Sequence, residues 1–265
     1  MKRDVSSRIV LNITEPADLV FAIAVSGHYA TNHESFTATL DGAQLPYTDV
    51  SDVHGTRLHR VKSGLGELVV EYSATVVGPG DTAVGRDIDL LTYTRPSRYA
   101  ESDALAPTAG AEFVGITDPI ALLQSVSSWV GTRLSYVPGS SLPTDGASRT
   151  LLARQGVCRD YAHLCTALLR GLGIPARLVA VYAPGLDPMD FHAVAEAWVD
   201  GAWHVVDATT LAPRSTLVRI ATGRDAADTA FLNVMSGRAD LVDVRVTATV
   251  DSLPGDDLSQ LVEIA

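Results

Sequence analysis

The strongest constraint on the fold is a change in the spacing of hydrophobic residues partway along the chain. Before about residue 95, alternating or β-branched segments such as Arg8–Ile13, Ser35–Leu40 and Glu67–Val77 are separated by turn-forming clusters. This pattern predicts short strands packed as a sandwich. From Asp118 onward, hydrophobic residues recur at helical spacing. The change of period therefore predicts a β unit followed by an α+β unit.

A polar stretch with Pro and Gly residues lies between these two patterns and is the best candidate for a domain boundary. We therefore assign residues 1–97 to an N-terminal β-sandwich-like domain and residues 98–117 to a linker. Residues 118–250 are assigned to a core and residues 251–265 to a polar, solvated C-terminal tail. The length of 265 residues fits this division.

The composition excludes several classes of function. The net charge is −11 and no basic run is present, so we expect no nucleic-acid partner. The longest strongly apolar run, Leu19–Val25, is far shorter than a bilayer span, so we expect no membrane insertion. The N-terminal residues lack the apolar segment of a secretion signal, and a cytoplasmic protein is therefore expected.

Cys158 and Cys165 are the only cysteines. The sequence predicts a helix from about Cys158 to Gly171, preceded by a break at Gly156. Seven residues of helix separate the two Cα atoms by roughly 10 Å, so both thiols should be free. Their spacing fits no zinc pattern, and we expect neither a metal nor a cofactor. A thiol at a helix N-terminus lies near the positive end of the helix dipole, which favours the nucleophilic thiolate, whereas Cys165 should be a buried core residue.

A hairpin supplies candidates for a base and for a group that orients it. Asp200-Gly201 is typical of a two-residue hairpin turn, which pairs Val199 with Ala202. Counting outward, His192 and Asp207 share a face as diagonal neighbours, close enough for a carboxylate to accept from an imidazole. His204 falls on the opposite, mostly small and apolar face and is not chosen as the base. The remaining histidines upstream are expected to be structural: His28, His33, His54 and His59.

At these residues the sequence resembles the transglutaminase-like superfamily, in particular its bacterial members described as cysteine proteases. The similarity runs from about residue 118 to residue 231. The matching segments stand in the same order as in the family: Gly156–Tyr161, Gly173–Arg177, His192-Ala193 with Glu196 and Trp198, Trp203 with Asp207–Thr209, Arg219–Ala221 and Gly223–Asp228.

The resemblance implies a papain-like α+β core in which the cysteine helix packs on an antiparallel sheet. It implies Cys158 as nucleophile, His192 as general base and acid, and Asp207 as the group that orients His192. The Cys158 N–H is the first candidate for an oxyanion donor. Tyr136 is a less secure side-chain candidate, since a tyrosine at this position can instead cap the core. Arg177 is expected to pair with an acid within the fold.

The leading hypothesis is a thiol-dependent amide or peptide hydrolase that acts through an acyl-enzyme thioester on a peptide or protein substrate. The sequence does not distinguish hydrolysis from transfer of the acyl group to an amine. Hydrolysis is favoured because water needs no dedicated acceptor site. A non-catalytic peptide-binding module on the same fold is the alternative. The oligomeric state is not readable from the sequence.

Overall fold

A computed structural model describes residues 1–265. Its N-terminal part is a seven-stranded antiparallel sheet in the order β3-β2-β6-β1-β5-β4, with a last strand, β13, also paired to β1. The strands of this sheet are β1 (Lys2–Phe21), β2 (Thr31–Leu40), β3 (Ala43–Gln44), β4 (Tyr47–Ser51), β5 (Arg57–Ser63), β6 (Gly66–Val77) and β13 (Leu232–Val250).

The long strand β1 lets one sheet enclose its own core. Its first part, to Ile13, pairs with β6, and its last part, from Ala17, pairs with β5 along the same edge. Register shifts around Glu15 mark the change of partner, where bulges bend and twist a strand. Buried side chains of both parts, including Ile9 and Leu19, join one apolar cluster. The expected N-terminal β domain is thus confirmed.

The second part combines helices with a four-stranded antiparallel sheet in the order β11-β10-β9-β12. The four strands of this sheet are β9 (Ala176–Tyr182), β10 (His192–Val199), β11 (Ala202–Val206) and β12 (Val218–Gly223). Two further short strands, β7 (Ser135–Tyr136) and β8 (Gln155–Gly156), form a separate parallel pair. The helices are α1 (Asp87–Thr92), α2 (Ser102–Glu112), α3 (Pro119–Arg133), α4 (Ala147–Ala153), α5 (Cys158–Gly171) and α6 (Ala226–Thr229).

Helix α5 packs on the second sheet, which confirms the expected α+β core. The small face predicted for the hairpin, including Ala195 and Ala197, lies in one apolar cluster with Leu164 and Leu168 of α5. Small side chains allow this close approach of helix and strand. Helix α3 begins as predicted, because Asp118 accepts a hydrogen bond from the Ala121 N–H at 2.7 Å.

Three segments differ from their expected description. The segment expected as a linker contains α2, which packs on α5 through Leu105 and Ala109. The sequence gives little sign of this helix, because it contains Pro107 and its apolar residues do not recur at regular helical spacing. Strand β13, which was assigned to the core, pairs with β1 instead.

The third difference concerns the tail, which was expected to be solvated. Ile264 is buried, and the Val262 carbonyl accepts a hydrogen bond from the Val205 N–H of β11 at 2.8 Å. Asp256 accepts from Arg214 at 3.0 Å. The buried Ile264, the backbone hydrogen bond and the ion pair together hold the tail along the free edge of β11. Among the helices, none has both the length and the apolar character needed to cross a bilayer.

Candidate active site

Cys158 is the first residue of α5, and the residues around it form the helix N-terminus. Asp160 accepts a hydrogen bond from the Val157 N–H at 2.8 Å through one oxygen and from the Ser141 hydroxyl at 2.9 Å through the other. A side chain at Gly156 would meet the Asp160 Cβ at 2.7 Å, so only glycine fits there. The sulfur therefore lies beside unpaired backbone N–H groups and the positive end of the helix dipole.

The start of α5 lies against the start of β10. The Cys158 Sγ is 3.9 Å from the Phe191 carbonyl oxygen, directly before His192. Ala162, Leu178 and Ala193 form a small apolar cluster against which Cys158 packs. The structure thus brings the helix and the hairpin together, a contact that no local pattern in the sequence could establish.

The hairpin has the predicted register. Asp200 and Gly201 have φ angles of 51° and 84°, as a turn with two left-handed residues requires. Glu196 pairs with Val205, and Trp198 pairs with Trp203. The strand β11 ends at Val206, one residue before Asp207.

His192 and Asp207 meet through their side chains. The His192 Nε2 is 3.1 Å from the Asp207 Oδ2, and both residues are buried. The other carboxylate oxygen, Oδ1, accepts from the Thr209 N–H at 2.9 Å and from the Thr209 hydroxyl at 2.7 Å. The His192 Nδ1 has no protein nitrogen or oxygen as partner. Since Asp207 holds Nε2, Nδ1 is the ring nitrogen left unpaired, and the nearby Cys158 helps to raise the His192 pKa.

The charges of this arrangement favour a protonated imidazole. Burial by itself lowers the pKa of His192, but the charge and hydrogen bond of Asp207, together with those of Cys158, outweigh it and raise the pKa to about 10. Burial opposes ionisation of Asp207 too, yet the His192 charge and the hydrogen bonds from His192 and Thr209 lower the Asp207 pKa. The site can thus hold an imidazolium between a carboxylate and a sulfur.

Tyr136 lies beside the same sulfur. Strand β7 pairs in parallel with β8, which places Tyr136 opposite Gly156, two residues before Cys158. Burial and the charge of Cys158 raise the pKa of the Tyr136 hydroxyl to about 12, while the Cys158 N–H lowers it. A phenol that remains protonated next to this N–H can donate a hydrogen bond.

The other residues singled out in the sequence have structural surroundings. Arg177 pairs with an acid, as expected: its Nη2 lies 2.7 Å from the Glu196 Oε2, and Arg219 binds the same carboxylate at 2.6 Å. Cys165 is fully buried and free, and burial raises its pKa. His204 lies opposite Ala197, away from the His192 face.

Two cavities flank the three side chains. The first, of about 550 Å³, is lined by Cys158 and His192 and by residues that the sequence analysis missed, among them Phe191 and Phe231. The second, of about 690 Å³, lies on the side of Asp207 and Tyr136. No group of three or more His, Cys, Asp or Glu side chains is arranged to hold a metal ion.

Comparisons with known proteins identify relatives of both parts of the chain. A family model described as the transglutaminase-like superfamily matches residues 108–208. A crystal structure from Cytophaga hutchinsonii, described as a "Putative Cysteine Protease", is 32% identical, superposes with a TM-score of 0.89, and is matched over 99% of this chain and 96% of that one.

Mycobacterial proteins match over a shorter part of the chain. An uncharacterized protein of Mycobacterium leprae is 28% identical over 153 residues, which is 54% of this chain and 55% of that protein. An uncharacterized protein of Mycobacterium tuberculosis is 33% identical over 129 residues, which is 45% of this chain and 39% of that protein. The matched segment thus spans about half of the Mycobacterium leprae protein and about two fifths of the Mycobacterium tuberculosis protein.

Proposed function

This chain belongs to the transglutaminase-like superfamily, and on that premise we propose that it is a thiol-dependent amide or peptide hydrolase with a Cys158–His192–Asp207 triad. The observation that carries the proposal is the position of His192. One ring nitrogen is held by Asp207 at 3.1 Å, which leaves the other for the thiol at the start of α5. This is the arrangement of nucleophile, base and orienting group that thiol catalysis requires.

In the proposed reaction, the ionised Sγ attacks the amide carbonyl carbon and forms a C–S bond. The carbonyl electron pair moves to the oxygen, returns, and expels the amine, which takes the proton from the His192 Nδ1. The product is a thioester on Cys158. His192 then removes a proton from a water molecule, which attacks the thioester carbonyl, and the sulfur leaves as thiolate with release of the carboxylic acid.

Two donors are positioned to stabilise the oxyanion in these steps. The Cys158 backbone N–H lies at the helix N-terminus, where it has no partner within the helix. The Tyr136 hydroxyl lies beside that N–H and, like any phenol, keeps its proton at neutral pH; its pKa is raised further, to about 12. We assign to this pair the role of the oxyanion hole.

The test uses the two cysteines as a matched pair. We expect Cys158→Ala to abolish cleavage of a peptide library, whereas Cys165→Ala retains turnover because Cys165 is buried away from the cleft. Iodoacetamide should label Cys158 of the native protein at neutral pH and should label Cys165 only after unfolding. With hydroxylamine added, the ratio of hydroxamate to carboxylic acid among the products measures how the thioester divides between an amine and water.

Each variant is checked for folding by circular dichroism. Turnover by folded Cys158→Ala would contradict the proposal. Absence of both turnover and selective labelling in the wild-type protein would instead support a non-catalytic peptide-binding module.

A further inference from the structure

The cavity next to Cys158 has an apolar interior. Its sheet wall consists of Leu178 and Ala180 from β9 and Ile220 from β12. Phe191 and Phe231 add two aromatic rings, which stack with centroids 5.2 Å apart. A polar side chain placed among these groups would lose water without gaining a partner, whereas an apolar side chain gains by burial.

The N-terminal sheet contributes to this same cavity. Ala22, directly after β1, lines it, and the Ala22 N–H donates a hydrogen bond to the Phe231 carbonyl at 3.0 Å. The cleft is therefore built by both parts of the chain, which assigns a role to the N-terminal domain that the sequence did not reveal.

Small side chains on the remaining walls leave the room that a bulky ligand group needs. Ala193 from β10 lines the cavity, and three further alanines come from α6 and the residue after it: Ala226, Ala227 and Ala230. Two charged side chains also line the cavity, Arg159 and the exposed Asp190, and each has a hydrogen-bond partner within the protein. Arg159 donates to the Ser141 hydroxyl at 2.6 Å, and Asp190 accepts from the Phe191 N–H at 2.7 Å.

We propose that this cleft is an apolar subsite, which selects peptides that carry a bulky apolar side chain, such as Leu, Ile, Met or Phe, next to the attacked amide. The inference rests on the proposed function, because it places the amide at Cys158. The distance of 3.9 Å between the Cys158 Sγ and the Phe191 carbonyl sets the subsite directly beside the reacting atoms. Burial of such a side chain in place of Ala should raise kcat/KM roughly ten- to a hundredfold.

A binding experiment tests the subsite without turnover. Immobilised Cys158→Ala protein is exposed to a pool of capped, randomised pentapeptides, and the retained peptides are identified by mass spectrometry. We expect the retained pool to be enriched in Leu, Ile, Met and Phe relative to the input. A pool without this enrichment, or no retention at all, would overturn the subsite.

A filling substitution then locates the enrichment in the cleft. Ala230→Phe, combined with Cys158→Ala, places a ring in the cavity and should remove the preference for bulky apolar residues. Ala111→Phe in the same background is the matched control, because Ala111 is exposed on α2 and lines neither cavity described above. An unchanged preference in folded Ala230→Phe protein would also refute the proposal.

The two proposals fail in different ways. If wild-type protein cleaves no peptide but Cys158→Ala retains the apolar pool, the cleft binds bulky apolar side chains without cleavage, and the hydrolase proposal fails. If wild-type protein cleaves peptides with Ser and Leu next to the amide equally well, the hydrolase proposal stands and the subsite fails.

Discussion

Replacing Asp207 by Asn should abolish the proposed hydrolase activity, because Thr209 fixes the orientation of this side chain. Both donors of Thr209, its N–H and its hydroxyl, point at the Asp207 Oδ1. In Asp207→Asn the amide oxygen must remain at this position to accept them, so the amide NH₂ faces the His192 Nε2. A donor there forces the ring proton onto Nδ1, the nitrogen that has to accept the proton of the thiol.

The size of the effect follows from two losses. The charge that helps to raise the His192 pKa to about 10 disappears, and the imidazole is held in the wrong tautomer. A comparable tautomer error in a serine protease lowers kcat on the order of 10⁴-fold, and we expect a decrease of about 10³–10⁴-fold here. Each Thr209 hydrogen bond favours the inactive amide orientation by about 1 kcal/mol.

The double variant Asp207→Asn/Thr209→Val tests this orientation argument. It removes one of the two donors, so the amide can rotate more readily and present its oxygen to His192. Activity should recover about fivefold relative to Asp207→Asn, as about 1 kcal/mol predicts. The assay is kcat/KM on a peptide from the cleavage screen, with Thr209→Val alone as control. Asp207→Asn activity within about threefold of wild type, or no recovery in the double variant, would refute the reasoning.

Three further predictions concern Tyr136, His192 and Glu196. Tyr136→Phe should lower kcat about 10²-fold with little change in KM, measured by steady-state kinetics, and an unchanged kcat would remove Tyr136 from the oxyanion hole. The His192 pKa is raised from 6.5 to about 10, so the stability that this charge contributes is present below about pH 6.5 and is lost towards pH 10. The free energy of unfolding in urea should therefore fall over this pH range in wild type and fall less in Asp207→Asn. An equal fall in the two proteins would contradict the prediction. Glu196→Ala should destabilise the fold by about 3–5 kcal/mol, since it leaves the Arg177 and Arg219 guanidinium groups buried without their carboxylate; a loss below about 1 kcal/mol in urea unfolding would contradict that.

Local rules in the sequence were sufficient for the elements that carry the candidate site. Turn chemistry at Asp200-Gly201 set the register that places His192 and Asp207 on one face, and the structure has this register. The break at Gly156 predicted the start of α5 at Cys158. These features depend on neighbours in the chain, so period and turn residues report them directly.

Other features depend on partners that are distant in the chain. Leu105 could not be recognised as a helix contact until α5 was in place, because α2 contains Pro107 and lacks a regular apolar spacing. The sequence does not indicate that β13 pairs with β1, because the choice of a distant partner strand does not alter the composition of either strand. The same holds for Ile264, whose burial arises only where the tail crosses β11.

The sequence by itself determined the change from β to α+β structure, the hairpin register and the identities of the three candidate catalytic residues. Only the tertiary structure decided that Cys158 and His192 line one cleft, that Thr209 holds Asp207, and that Ala22 closes this cleft from the other domain. The physical reason is the separation along the chain between the residues that interact. Periodicity and turn geometry act between residues close in the chain, whereas a cleft is formed by side-chain packing between segments that the chain connectivity leaves free to meet anywhere.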